Sequence, residues 1–440
     1  MRTYISLSKE HNIFDDLSQR QLISASTDPD ALRKHMCNPI VAYCGFDPTA
    51  SSLHIGHLVP ILMLKRFQMY GHSTIALIGG ATGLVGDPSG RSNERTLMKI
   101  EEVKERANMI QTQLQNLLLH SEDQKPTIFI DNYDWISNIS TIEFLRDYGK
   151  HLSMKDLLSN RYVSARLNDP DTGISFTEFS YTILQALDFV HLRKYHNCTV
   201  QIGGNDQWGN ITNGTRLARA IGIDNVYGFT LPLLLKSDGS KFGKTANGAI
   251  WLDSKLTPIF DFYQFWFSIN DEDIRKLMYI FSLQSSAEID ALLLVDREDP
   301  SQRIAIRHLA YEMTAFVHGE TYANACQTLA QILFSHSNQS DNKNNITANN
   351  WDALVFSGIV PTIPMHSLKD KMLSDALLSL GLVSSRKDAK RNFVGNSIKV
   401  NFSQITEDIP LKEITMLHNN MICLQKGKLC GLVYNSCSLM

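Results

Sequence analysis

A chain of 440 residues is too long for one hydrophobic core and predicts two or three domains. With 43% hydrophobic and 20% charged residues and a formal net charge of −3, the composition is globular and excludes a bulk attraction to nucleic acid, so any such binding must come from local patches. No run reaches about 18 apolar residues, so no membrane span is expected. The polar start MRTYISLSKEHNIFDDLSQR carries no apolar signal core.

In chain order, PIVAYCG (39–45) is a short, β-branched apolar run that predicts a buried strand. The turn GFDPTASSLHIGHLVP (45–60) follows, with His54 and His57 around Gly56. From these residues alone three readings stay open: a metal site, a helix start, or a phosphate site on helix N–H groups. No nearby cysteine completes a metal site. HLVPILMLKRFQMYG (57–71) has helical spacing, with Pro60 in the first turn, where it is tolerated. STIALIGG (73–80) predicts a second strand. The loop after it, GGATGLVGDPSGRSNER (79–95), is dense in glycine and supplies Asp87, Arg91 and Arg95; long loops in compact domains are usually functional. Residues 98–118 place Ile100, Val103, Ala107, Ile110, Leu114 and Leu117 at steps of three and four, an amphipathic helix. PTIFIDN (126–132) predicts a third strand.

TEFSYTILQALDF (177–189) is read as a helix with Tyr181, Gln185 and Asp188 on one face. Among apolar neighbours that stripe needs partners, so it marks either a pocket for a small polar ligand or a half-exposed face. CTVQIGG (198–204) predicts a fourth strand, and residues 207–221 a helix. Asp206, after Gly203 and Gly204, is either a ribose acceptor or a helix N-cap. The segment DGSKFGKTANG (238–248) sets Lys241, Lys244 and Thr245 between glycines without Walker spacing. It is either a polyphosphate clamp or a solvated turn. Strands alternating with helices predict an α/β fold, a doubly wound parallel sheet that binds ligands at its carboxyl ends. From about 256 to 335 the pattern is helical. HSNQSDNKNNITANN (336–350) has the composition of a linker. Residues 365–440 hold ten Lys or Arg against six Asp or Glu. Arg386, Lys387, Lys390 and Arg391 would share a helix face there. The seven cysteines (Cys37, Cys44, Cys198, Cys326, Cys423, Cys430 and Cys437) form no C-x-x-C pair and predict reduced thiols in the cytosol.

Together, PTASSLHIGH (48–57) and KFGKT (241–245) resemble the two signatures of class I aminoacyl-tRNA synthetases. YCGFDPTA (43–50), GGATGLVGDPSG (79–90), ISFTEFSYTILQALDF (174–189) and QIGGNDQWGNIT (201–212) resemble the bacterial-type tyrosyl-tRNA synthetases. LSDALLSLGLVSSRKDAKRNFVGNSIKVN (373–401) fits the family's tail, which is similar to a ribosomal small-subunit protein.

The resemblance implies a Rossmann-like catalytic domain over 1–225. It implies the KFGKT loop and an α-helical anticodon-side domain over 226–335, a linker over 336–364 and a small α+β RNA-binding domain over 365–440. It implies tyrosine activation with ATP and transfer to tRNA(Tyr), magnesium accompanying ATP with no protein-bound metal, a cytoplasmic homodimer, and neither DNA nor membrane as partner. Residue by residue, Tyr43 and Asp188 would bind the substrate phenol, and Tyr181, Gln185 and Asp87 its ammonium. Asp47, Gly203, Asp206 and Gln207 would line the ATP or adenylate side. Thr49, His54 and His57 would meet the phosphates. Lys241, Lys244 and Thr245 would close over pyrophosphate, Lys244 also serving ATP, assisted by Arg91 and Arg95.

Two departures stand out. The C-terminus KGKLCGLVYNSCSLM is less basic than the family pattern, and Asn205 replaces a small hydroxyl residue. Rival readings are tryptophanyl-tRNA synthetase, a small nucleotidyltransferase with a similar histidine signature, and a non-catalytic RNA-binding protein on the same fold.

Overall fold

The computed structural model describes residues 12–89, 96–119, 124–158, 161–168, 173–235, 237, 239, 242–245, 248–334, 346–368, 370–418 and 420–435; of Arg161, Lys244 and Thr245 only the backbone is described. The chain divides into two compact units, Met1–Leu256 with Glu272–Leu294, and Thr257–Asp271 with Val295–Met440. Among the described residues no helix is long and apolar enough to cross a membrane.

The first unit is built on a six-stranded sheet. Its strands are β1 (Ala25–Ser26), β2 (Val41–Phe46), β3 (Ser73–Ile78), β4 (Thr127–Asp131), β5 (Val200–Gly204) and β6 (Tyr227–Leu231), in the order β1-β6-β5-β2-β3-β4. All neighbours are parallel except β1 and β6. From β2 the chain winds outward through β3 to β4, then returns to the other side of β2 with β5 and β6. That reversal opens a crevice at the carboxyl ends of β2 and β5, where α/β sheets bind their ligands. The four expected strands are present within a residue or two of their expected ends. β1 and β6 were not anticipated: β1 is too short for any period, and β6 carries a glycine in a five-residue run.

Helices on the sheet follow from their apolar faces. Leu58–Met69 is buried almost all round, including Lys65, Arg66 and Gln68, as befits a helix packed deep in an α/β unit. Ile100–Leu117 buries Val103, Ala107, Ile110, Leu114 and Leu117, while Ile100 at its start is exposed. Phe176–His196 starts at Ser175, whose side chain accepts the Glu178 N–H. It ends at Asn197 in the left-handed region with φ 53°. Its apolar side shares a core with Tyr43, Ile75 and Leu77 of the sheet and Leu217 of the helix Trp208–Ala220. A two-residue hairpin, β7 (Lys244–Thr245) and β8 (Gly248–Ala249), lies in the same unit.

The second unit joins helices Ile259–Phe267, Ile304–His318 and Glu320–Phe334 to a sheet of β9 (Thr362–Pro364), β10 (Ile398–Val400), β11 (Ser403–Gln404), β12 (Met421–Lys426) and β13 (Leu429–Tyr434), in the order β11-β10-β12-β13-β9. β12 is buried on both faces, and the strand period sorts its side chains. Ile422 and Leu424 join Leu373, Leu377 and Phe393. Met421 and Cys423 join Leu329, Ile332 and Trp351. The expected linker, 336–364, lies outside the described residues as far as 345. Beyond that it is structured: Ala348–Ser357 is a helix, with Trp351 and Leu354 buried. Its composition misled because the Asn-rich stretch runs straight into a segment with a buried face.

Candidate active site

A cavity of about 600 Å³ opens at the carboxyl ends of β2 and β5. Its floor is strand-end backbone. A side chain at Gly45 would meet nothing within 4 Å, so open cavity lies above it. Gly79 is needed for the opposite reason: a Cβ there would fall 2.0 Å from Asp47 Oδ1.

The closed end is formed by Tyr43 of β2 and Asp188 of the helix Phe176–His196. Asp188, 2% exposed, accepts from Asn132 Nδ2 at 3.0 Å and Trp135 Nε1 at 3.1 Å. Burial raises its carboxyl well above the usual range, against the pull of those two donors. Tyr43 is 1% exposed, and its hydroxyl has no protein partner. Burial, with the Asp188 charge adding, holds that phenol protonated far above its ordinary range. Gln185 Oε1 and Gln201 Oε1 are likewise buried in the cavity wall with no partner. Three orphaned polar atoms in one wall are costly unless a ligand completes them.

A carboxylate pair faces the middle. Asp47 accepts from Tyr181 Oη at 2.8 Å and Thr82 Oγ1 at 2.7 Å. Asp87 accepts from Gln207 Nε2 at 2.6 Å and the Ser89 N–H at 2.8 Å. Asn132 donates to Thr82 Oγ1 at 3.0 Å, so a continuous network runs from Asp188 through Asn132, Thr82 and Asp47 to Tyr181. Two carboxylates beside a phenol make a natural place for a cationic group.

The histidine turn is a 3-10 helix, Ile55–His57, leading into Leu58–Met69. The two rings cap it reciprocally: His57 Nδ1 accepts the His54 N–H at 3.1 Å, and His54 Nδ1 accepts the Gly56 N–H at 3.1 Å. With Nδ1 accepting in both rings, the proton of a neutral ring lies on Nε2, and both residues line the cavity. Burial, with His54 adding, pushes His57 down to about 3. Among the described residues no group of three or more His, Cys, Asp or Glu is arranged to hold a metal ion.

Thr49, Gly203, Asp206 and Gln207 also line the cavity. Asp206 is not a helix N-cap; Gly204 begins the 3-10 turn and Gln207 precedes the helix Trp208–Ala220. Lys241, Arg91 and Arg95 lie outside the described residues, as do the side chains of Lys244 and Thr245. The backbone of that segment sits on the histidine turn: Gly243, at φ +85°, would place a Cβ 2.3 Å from Ile55 Cγ2. The chain just beyond pairs with the same turn, Ile55 N–H to Ile250 O at 2.9 Å and Leu252 N–H to Leu53 O at 2.8 Å. Sequence reasoning passed over Thr82, Asn132, Trp135 and Gln201. Asn132 follows the carboxyl end of β4, and that position was the available signal.

Residues 34–335 match the model of the tRNA synthetases class I (W and Y). The chain is 44% identical over 421 residues to a tyrosine–tRNA ligase of Desulfitobacterium hafniense (strain Y51), covering 95% of this chain and 98% of that one. It is 44% identical over 419 residues to the tyrosine–tRNA ligase of Pectobacterium atrosepticum, covering 95% and 97%. Among solved structures, a C-terminally truncated mitochondrial tyrosyl-tRNA synthetase of Aspergillus nidulans superposes with a TM-score of 0.67 at 30% identity, over 74% of this chain and 95% of that chain.

Proposed function

The chain belongs to the class I tRNA synthetases of the tryptophan and tyrosine group and, within it, to the tyrosine–tRNA ligases, and from that premise we propose how its cavity divides the reaction. Tyrosine is activated with ATP to tyrosyl-adenylate and pyrophosphate, and the tyrosyl group then passes to the 3′ terminal adenosine of tRNA(Tyr). The observation that carries the amino-acid assignment is the closed end, an unpartnered buried Tyr43 hydroxyl beside a buried Asp188. A phenol both donates and accepts, so it can donate a hydrogen bond to Asp188 and accept one from Tyr43. An indole only donates and would leave Tyr43 unsatisfied. Phenylalanine would leave the Tyr43 hydroxyl unpaired and add no donor to the Asp188 carboxyl beyond Asn132 and Trp135, a mode of discrimination already known for tyrosyl-tRNA synthetases themselves.

In this reading Asp87, Tyr181 and Gln185 hold the ammonium group. The network through Asp47 fixes the distance from that end to Asp188. Along the helix, Tyr181 to Asp188 is seven residues, about 10 Å at 1.5 Å each, comparable with tyrosine from ammonium to hydroxyl. Asp47, Gly203, Asp206, Gln207 and Lys244 take the nucleotide side.

The substrate carboxylate is already a nucleophile. A new bond forms from its oxygen to the α-phosphorus, and the bond to pyrophosphate breaks. No general base is required, so the protein's part is to position the groups and to donate to developing charge. Thr49 and the Nε2 protons of His54 and His57 serve that end. Lys241, Lys244 and Thr245, with Arg91 and Arg95, serve the departing pyrophosphate. Magnesium enters as part of the ATP substrate, held mainly by phosphate oxygens and water.

The tail, 365–440, is read as the RNA-facing part. Lys387 and Lys390 are exposed on the helix Arg386–Val394, while Arg386 pairs with Asp375 and Arg391 with Asp388. A homodimer is also proposed. Ile142, Leu145, Met154 and Phe176, between 52% and 72% exposed, are apolar side chains that a second copy would cover. The protein is assigned to the cytoplasm, a reading supported by the six free cysteines among the described residues. The test of the activity is amino-acid-dependent exchange of pyrophosphate into ATP with each of the twenty amino acids. Tyrosine alone should support exchange at low concentration, and exchange driven by tryptophan instead would overturn the reading.

A further inference from the structure

The helix Asp271–Phe281 contributes nothing to the cavity wall, yet it grips the segment leading into Lys244 at three points. Asp273, 8% exposed, accepts the backbone N–H and the hydroxyl of Ser237, each at 3.3 Å. Lys276 Nζ donates to the Leu235 carbonyl at 3.1 Å. At the helix end, the fully buried ring of Phe281 meets that of Phe242, with 5.7 Å between centroids.

The same end is fastened to the sheet side of the unit. The last carbonyls of a helix have no intrahelical partner, and they lie at the negative end of its dipole. Two buried guanidiniums occupy them here. Arg66 Nη2 donates to Ile280 O at 2.8 Å and Ser282 O at 2.7 Å. Arg20 Nη1 donates to Tyr279 O and Ser282 O, each at 3.3 Å. Arg66 projects from the helix that the His54–His57 turn begins. One rigid link therefore runs from the histidine turn, through Arg66 and the helix end, to Phe242. Gly243 then packs back against Ile55 of the same turn.

We propose that the helix Asp271–Phe281 is a seat that sets the Phe242–Thr245 segment against the histidine turn, with Asp273 and Arg66 as positioning residues that touch no substrate. The proposal rests on the reading of Lys244 as a group that acts on the pyrophosphate side. Placement matters because a displacement of about 1 Å at a reacting group can cost on the order of 100-fold in rate.

The test is single-turnover formation of tyrosyl-adenylate by the full chain, with the tyrosine dissociation constant and thermal midpoint measured alongside. The variants are Asp273→Ala, Arg66→Lys, Lys244→Ala and the double Asp273→Ala/Lys244→Ala. Asp273→Ala should slow adenylate formation about tenfold, with tyrosine affinity held within about twofold. In the Lys244→Ala background it should add nothing, because its effect runs through the lysine. Arg66→Lys should behave alike; if that buried change fails to fold, Asp273→Ala decides. Additive losses in the double variant, or a matching loss of tyrosine affinity, would overturn the seat. A large loss in Lys244→Ala with none in Asp273→Ala would overturn the seat alone. A silent Lys244→Ala would overturn the assignment of Lys244, and the seat with it.

Discussion

His57 is held as a neutral ring by burial, and the backbone N–H of His54, accepted by its Nδ1, dictates where its proton sits. Its depressed value, about 3, means that the unfolded chain takes up a proton near 6.5 while the folded chain does not. Its contribution to stability is therefore fully present above about 6.5 and is lost as pH falls toward 3. His72, pushed down to about 4 by burial, acts in the same direction. Thermal midpoints from pH 7.5 to 5 should fall less steeply in His57→Asn than in the parent, with the His72 share remaining. The rate of adenylate formation should show no His57 break near pH 6.5.

If His54 donates where charge develops, as proposed, His54→Ala should slow that step by orders of magnitude while tyrosine affinity stays within a few-fold. Equal losses in both, measured by stopped flow and equilibrium titration, would contradict it. Cavity-lining side chains were legible in the sequence where they sit on a glycine-marked turn, as with Asp47, His54, His57 and Asp206. It was silent on Asn132 and Trp135. Each lies more than 50 residues from the Asp188 carboxylate it holds, at separations of 56 and 53, and nothing local records such a bond.

Among elements, the clearest stability lever is the helix Arg161–Leu167 beside the start of Phe176–His196. Arg166 and Glu178, 4% and 2% exposed, pair at 2.9 Å, and Arg166 Nε also donates to the Gly173 carbonyl at 2.7 Å. Glu178→Ala would strand a buried guanidinium and should cost about 3–5 kcal/mol by denaturant titration. Replacing both partners with apolar residues should restore most of it. A loss no larger than about 1 kcal/mol in the single variant would mean that water reaches the pair. Strands of five or six residues with β-branched runs were legible in the sequence. β1 was not, because its pairing with β6 is created by a partner about 200 residues away. Helices were legible as periods, but Phe176–His196 runs seven residues past its expected end. Those residues are mostly polar and basic, yet Val190 and Leu192 keep the buried stripe going.

For the whole molecule, the tail is more tightly integrated with its neighbours than its composition suggested. Leu329 and Ile332 share a core with Trp351, Met421 and Leu432. Gln425 Nε2 donates to the Ile332 carbonyl at 2.9 Å. A chain ending at Phe334 should keep adenylate formation and lose most tRNA charging. It should also melt at a lower temperature, because that core is opened. A gentler test is Lys387→Glu/Lys390→Glu, which leaves the ion pairs of Arg386 and Arg391 in place. It should raise the KM for tRNA several-fold, more so at low salt, with pyrophosphate exchange unchanged. Undiminished charging by both proteins would show the tail to be dispensable.

The reading stands most directly on the phenol end of the cavity, and tyrosine and phenylalanine activation measured side by side on the parent, Tyr43→Phe and Asp188→Ala probes it. Tyr43→Phe should weaken tyrosine activation modestly, since one neutral hydrogen bond contributes roughly 0.5–1.5 kcal/mol. Asp188→Ala should cost more, because it removes a charge-assisted partner and releases Asn132 and Trp135. It should also narrow the gap between the two amino acids. An Asp188 variant that still rejects phenylalanine as strongly as the parent would contradict the assignment of this end of the cavity to the tyrosine phenol.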